Sequence, residues 1–169
     1  MNTQNISDGP PTEHRHLRSR EDLRSAWIDL VNSARHELAL VAPTLDATIW
    51  NGSAMSEALA RLLTRSSRHR TRVVVEDTEF MLTTCPRLVE LARRFSDLIL
   101  IRRLGEPHRG LNEMFAVADR DSCLAQPEIA TIDATLDLAA PRVAAPYVQR
   151  FEDIWSAAEP VPGLHGFRL

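Results

Sequence analysis

Polar residues dominate positions 1–17, and from Ser19 onward the chain changes character. Leu23, Ala26, Trp27, Leu30, Val31 and Ala34 recur at the spacing of one helix face. Ser19 followed by Asp22 supplies an N-cap signature ahead of them. The continuous apolar run Leu38 to Ala42, ended by Pro43, then reads as a strand covered on both faces. The pattern repeats. A helix from Ser53 buries Met55, Leu59, Leu62 and Leu63, the polar stretch Ser66 to Arg70 breaks it, and Val73 to Val75 is the next strand. Pro86 opens a helix carrying Leu88, Leu91, Ala92 and Phe95, which leads to a third strand at Leu98 to Ile101.

Alternating helices and short apolar strands predict an α/β domain whose early strands are parallel. The second half departs from that rhythm. Met114 to Ala118 reads as a fourth strand, Asp119 to Ser122 as a turn, and Cys123 to Ala125 as a strand returning beside it. An edge strand is expected around Ile129 to Ile132, and a closing helix from Pro146 carries Tyr147, Val148, Phe151, Ile154 and Trp155. The expected fold is therefore a mixed, mostly parallel sheet flanked by helices. Residues 1–17, with Gly9, Pro10 and Pro11 and no apolar period, read as a disordered leader, and residues 18–169 as a single domain.

Composition excludes more than it selects. The chain has no lysine, which removes the phosphate-binding P-loop, Schiff-base enzymes and protein kinases. All 20 basic residues are arginine, for which a codon-biased genome is the plain explanation. A net charge of -3 makes nucleic acid an unlikely general partner while leaving room for local basic patches. Cys85 and Cys123, outside any C-x-x-C arrangement, read as buried thiols. No apolar run is long enough to span a membrane, and the first residues lack a secretion signal, so a cytoplasmic protein is expected. His14 and His16 have no further ligands nearby, and no metal or cofactor is expected.

The segment Asn112-Glu-Met-Phe-Ala-Val-Ala-Asp119, set in this order of elements and closed by a helix of the form F-x-x-x-W, resembles one half of a phospholipase D-type domain. The resemblance runs from about residue 20 to 158. It implies the phospholipase D-like fold and, in active members, a strand reading His-x-Lys, four residues, then Asp. Carried over residue by residue, the histidine position falls on Asn112, the lysine position on Met114 and the aspartate position on Asp119. That chemistry is covalent phosphoryl transfer through an imidazole. An amide is not a usable nucleophile, and a thioether cannot neutralise a phosphate oxygen. The family's Gly-Ser pair after the hairpin falls on Gln126 and Pro127, a further departure. The turn from Pro43 to Asp46, the segment Leu91 to Asp97, the strand end Phe115 to Arg120, and Phe151 with Trp155 are similar to an uncharacterised bacterial group of such domains, occasionally found beside acetyltransferases.

These residues predict a non-catalytic phospholipase D-like domain that binds a small anionic ligand or a protein partner. Its candidate crevice is framed by Asp46, Asp77, Arg103, His108, Arg109 and Asn112, with Met114 and Asp119 as motif remnants. Carboxylates at strand ends, Glu76 among them, face the usual ligand crevice of an α/β sheet, but they also cap the helices that follow. Arg102, Arg103, His108 and Arg109 lie in one loop region suited to an anion, whereas the stretch Arg61 to Arg72 fits solvated helix-end arginines. Trp27 and Trp155 are expected in the core and Trp50 in a loop able to stack on a ligand. Two rivals stand beside this reading. One is a divergent phosphodiesterase or nuclease working as a dimer, with His108 in the place of the nucleophile. The other is an accessory domain of an acetyltransferase or other enzyme, which predicts an exposed apolar patch. Monomer and homodimer both remain open.

Overall fold

The structure, a computed structural model, describes residues 9–164. Eight strands form one sheet in the order β1-β7-β6-β5-β2-β3-β4-β8. They are β1 (Glu13–Leu17), β2 (Glu37–Ala42), β3 (Arg70–Val75), β4 (Ile99–Arg103), β5 (Met114–Ala118), β6 (Ser122–Gln126), β7 (Ala134–Leu138) and β8 (Glu159–Pro160). The helices are α1 (Arg20–Ser33), α2 (Ala47–Trp50), α3 (Ser53–Arg65), α4 (Thr78–Thr84), α5 (Pro86–Arg94) and α6 (Pro141–Ala157). The mixed α/β architecture stands as expected. Its balance differs: β2, β3 and β4 pair in parallel, and every other pairing is antiparallel. The reason is local, because helices make every connection from β1 to β4, whereas after β4 the only long helix is α6, which carries the chain from β7 across to β8. Tight turns and a loop then make β5, β6 and β7 a meander.

Period-2 patterning decides which side each strand residue serves. Leu38, Leu40, Val73, Val75, Ile99, Ile101 and Ala116 join the larger core beneath α1, α3 and α5. Ala39, Val41, Val74 and Phe115 face the other way, against Phe151 and Ile154 of α6. The result is three layers, with the sheet between them. Ser19 caps α1 as its sequence predicts, its hydroxyl accepting from the Asp22 amide at 3.0 Å. In the larger core Trp27 and Trp50 meet edge to face, with ring centroids 5.3 Å apart. Trp50 is 2% exposed, so it is a core residue and not a ligand-stacking one. On the opposite side Phe151 and Trp155 stack, and two guanidinium groups flank them: Arg102 lies 4.0 Å from the Trp155 ring and Arg72 lies 4.8 Å from Phe151. Arg72 also forks onto the Glu152 carboxylate at 2.7 and 3.0 Å, which holds that carboxyl below its ordinary range.

Several sequence expectations are corrected. Residues 13–17 of the supposed leader form β1, an edge strand whose partner is β7; positions 1–8 lie outside the described residues. Here His14 contacts Asp137 and His16 contacts Asp133, each at 2.5 Å. The edge strand expected at Ile129 to Ile132 lies further on, at Ala134–Leu138, and is internal to the sheet because β1 covers its outer side; the isoleucines belong to the exposed β6–β7 loop. The closing helix starts at Pro141, which takes the first helical position, and Pro146 lies within it. Short α2 and α4 follow β2 and β3 directly. Gly105 explains how the end of α6 packs so closely on the segment after β4. A Cβ at Gly105 would sit 2.1 Å from the carbonyl oxygen of Ala157.

Candidate functional site

Following the pairings across the sheet, the carboxyl ends of β2, β3 and β4 emerge on the same edge as the start of β5. Asp46, Asp77, Arg103 and Asn112 therefore do lie along one edge, on four adjacent strands. At roughly 4.8 Å per strand they spread over about 14 Å.

What each side chain does there is specific. Asp46 caps α2, accepting from the Thr48 amide at 2.9 Å and its hydroxyl at 2.7 Å. Asp77 caps α4, accepting from the Phe80 amide at 3.0 Å. Both carboxylates are thus used in ending a strand and starting a helix. Asp46 also lines a cavity of about 430 Å3 with Arg20, Arg24 and Thr48, on the α1 side. Arg103 is bound to Glu159 of β8 at 2.5 Å, which keeps the Glu159 carboxyl below its ordinary range. Glu76, at the end of β3, accepts the Gly110 amide at 3.0 Å and draws the β4–β5 connection over that strand.

His108 closes a short 3-10 turn, Glu106–His108, ahead of that anchor. Asn112 stands beyond it, exposed, and its carbonyl accepts the Ile129 amide at 2.8 Å. The connection is therefore pinned to β3 at Gly110 and to the β6–β7 loop at Asn112. His108 thus stays with the Gly105 turn near the end of α6, and Asn112 with the β6–β7 loop. Met114, half-buried, faces the larger core and pairs across strands with Gln126. Gln126 is buried, and its amide donates to the Thr131 carbonyl at 2.8 Å, closing the β6–β7 loop.

Asp119 is at the other end of β5, so the two ends of the motif remnant are a full strand apart. Its backbone is left-handed, with φ of 51°. Its carboxylate accepts three consecutive backbone amides of the α1–β2 connection: Arg35 and His36 at 2.8 Å and Glu37 at 3.0 Å. Of the three motif positions, the one whose residue type this chain keeps is the one its fold uses as a clamp.

Sequence reasoning missed the character of the strand-end edge as a whole. Asp46, Glu76, Asp77, Glu79, Glu106 and Glu128 gather around it, and none is in an ion pair among the described residues. On the same strands, Arg103 is already paired and Arg109 is exposed; Arg20 and Arg24 line the cavity beside Asp46. Phe80, Ile129 and Ile132 are exposed on the same edge, at 45%, 40% and 37%. Only the ordered strand ends bring these scattered residues together. Among the described residues no group of His, Cys, Asp and Glu is placed to hold a metal ion, and no helix is long and apolar enough to cross a membrane.

Residues 19–167 match a family described as a domain of unknown function (DUF7931). The chain belongs to that family. No curated protein matches its sequence. Among solved structures it is similar to Nuc from Salmonella typhimurium, a phospholipase D family member, at 12% identity and a TM-score of 0.64, over 89% of this chain and 99% of that one. It is also similar to TrmBL2, an archaeal chromatin protein described as binding DNA, at 13% identity and a TM-score of 0.61, over 92% of this chain and 56% of that one. Phosphatidylserine synthase from Haemophilus influenzae matches at 14% identity and a TM-score of 0.60, over 91% of this chain and 40% of that one. The chain thus spans a little over half of TrmBL2 and less than half of the synthase. This member of the family has the phospholipase D-like fold that its fourth strand implied.

Proposed function

We propose that this chain is a non-catalytic phospholipase D-like domain whose strand-end edge binds a protein partner. The observation that carries the reading is the start of β5, where Asn112 and Met114 stand in place of an imidazole and an ammonium. Neither can attack phosphorus or neutralise a phosphate oxygen. His108 does not make good the loss, because it sits on a separate turn that packs near the end of α6, and in the chain the Glu76 anchor at Gly110 lies between it and Asn112.

Of the two ligand classes expected from sequence, the edge favours the protein. An anion approaching it meets six unpaired carboxylates, and like charges repel by about 1 kcal/mol at 4 Å even in water. Phe80, Ile129 and Ile132 supply the exposed apolar contacts that an accessory domain needs. Asp46 and Asp77 then serve by shaping the helices that carry the surface, and Arg109, His108 and Asn112 offer hydrogen bonds at its rim.

The test has two arms. Purified protein incubated with bis(p-nitrophenyl) phosphate is expected to release no nitrophenol. Turnover that vanishes in His108→Ala would overturn the reading in favour of the dimeric phosphodiesterase. In the second arm, crosslinking in cells is expected to trap a partner through this edge, and Phe80→Asp with Ile129→Asp is expected to abolish the crosslink. A crosslink indifferent to both changes counts against the edge.

A further inference from the structure

The opposite edge, where β2, β3 and β4 begin, carries the reverse charge. Arg35 and His36 precede β2, Arg68 and Arg70 lead into β3, and Arg120 follows β5 in the turn to β6. All five are exposed, and none is in an ion pair among the described residues. The fold brings them close. The Arg70 amide donates to the His36 carbonyl at 3.1 Å, and Asp119, next to Arg120, holds the Arg35, His36 and Glu37 amides. Three adjacent strands thus present the cluster within roughly two strand spacings, about 10 Å.

The carboxylates near this edge offset part of its charge but are directed to other partners, and Glu152, which feels Arg120, is already forked onto by Arg72. Asp119 is spent on three backbone amides, Asp121 accepts the Ser122 hydroxyl at 3.0 Å, and Glu13 is paired with Arg15 at 2.9 Å. Glu37 is half-buried. Beside the cluster a cavity of about 720 Å3 is lined by Arg35, His36 and Arg65 together with Asn32, Asp119 and Asp121. Arg65 turns partly inward, donating to the Ala34 carbonyl at 3.4 Å.

We propose that this edge binds the phosphate backbone of double-stranded nucleic acid without reading its sequence. Guanidinium groups fixed by short turns suit phosphate oxygens, which they grip by paired hydrogen bonds. The segments 34–37, 66–70 and 119–121 contain no phenylalanine, tyrosine or tryptophan, and His36 is their one exposed ring, so there is no run of stacking platforms for successive unstacked bases, and a single strand is disfavoured. An anionic membrane is disfavoured too, since Phe80, Ile129 and Ile132 sit at the far edge and Val143 is the single large apolar side chain exposed near this one among the described residues, too little for an apolar wedge. The overall charge of -3 hides this cluster, because the excess of carboxylates is gathered elsewhere.

Fluorescence anisotropy of the full chain with a labelled 20-base-pair duplex tests it. Binding is expected at 50 mM salt and is expected to weaken at least about tenfold by 200 mM, as counterion release at a few phosphates requires. Arg68→Glu with Arg70→Glu is expected to lower affinity at least about tenfold. Arg24→Glu with Arg87→Glu, which changes the net charge equally but lies away from this edge, is expected to leave affinity within about twofold. Circular dichroism checks that both variants stay folded. No binding at 50 mM salt, equal losses in the two double variants, or equal affinity at both salt concentrations each overturns the proposal. So does tighter binding to phosphatidylglycerol vesicles that the first variant abolishes, which would assign the edge to a membrane surface.

Discussion

Where β2, β3 and β4 end, carboxylates cap helices, anchor a loop and crowd the rim; where the same strands begin, arginines stand unpaired around one fully engaged aspartate. Both edges come from the same parallel strands, so the backbone alone does not set their chemistry. The difference lies in what the connecting turns require. Each strand-to-helix turn needs an acceptor for the amides of a new helix, which draws in Asp46 and Asp77. Each helix-to-strand turn leaves unsatisfied carbonyls, which arginine complements. In this chain the strand-end edge is the one rich in carboxylates, and the unpaired arginines stand at the other.

The largest expected effect is at the arginine edge. Asp119→Ala removes the acceptor of three amides and puts alanine in a left-handed backbone, and is expected to cost about 3 kcal/mol, measured by urea unfolding. A change below 1 kcal/mol would mean that the clamp is dispensable and that the edge is organised by strand pairing alone. Next comes Gly105→Ala near the acidic edge, where the new methyl group collides with the Ala157 carbonyl. About 2 kcal/mol is expected, with hydrogen exchange quickening at the end of α6; wild-type exchange there would show that the contact is not limiting.

Asp77→Ala sharpens the comparison at smaller scale. As a cap it is worth about 1 kcal/mol of stability, read from the thermal midpoint; a variant as stable as the parent would free Asp77 for a ligand role. The subtlest effect belongs to His69, buried under the arginine edge with its Nε2 2.9 Å from the Thr71 hydroxyl. Burial lowers its pKa below 6.5. Below pH 6.5 the unfolded chain therefore takes up a proton that the folded chain refuses. Stability present above that pH is expected to decline as the pH falls through the folded value. His69→Gln is expected to flatten this slope in urea unfolding between pH 7 and 5; an unchanged slope would place the acid sensitivity elsewhere, for instance in Glu152.

How much of this was legible in sequence depended on whether burial wrote the pattern. Helices α1, α3 and α5 and strands β2 to β6 announce themselves because each packs an apolar face against the core. Strand β1, Glu-His-Arg-His-Leu, does not, since its polar side chains are held by carboxylates: His14 by Asp137, His16 by Asp133, and Arg15 by Asp29 of α1 at 2.8 Å. Ile129 and Ile132 misled for the converse reason, being apolar side chains left exposed in a loop. At the candidate site the residue types were legible and their employment was not. Nothing in the sequence says that Asp46 is occupied by its own helix, or that Arg103 is taken up by Glu159 across a strand pair that forms only in the fold. Charge segregation was equally hidden, because residues far apart in sequence share an edge only once the strand order is known.

The stack of Arg102, Trp155, Phe151 and Arg72 gives the molecule a built-in optical probe. Trp27 and Trp50 report from the larger core, deep and away from solvent, while Trp155 is half-buried on the other side of the sheet, beneath a guanidinium group. The three indoles therefore view the two layers separately. With phenylalanine replacing Trp155, or replacing Trp27 and Trp50 together, the emission spectrum follows one layer at a time, and the order in which α6 and the remaining helices leave the sheet becomes visible as colour.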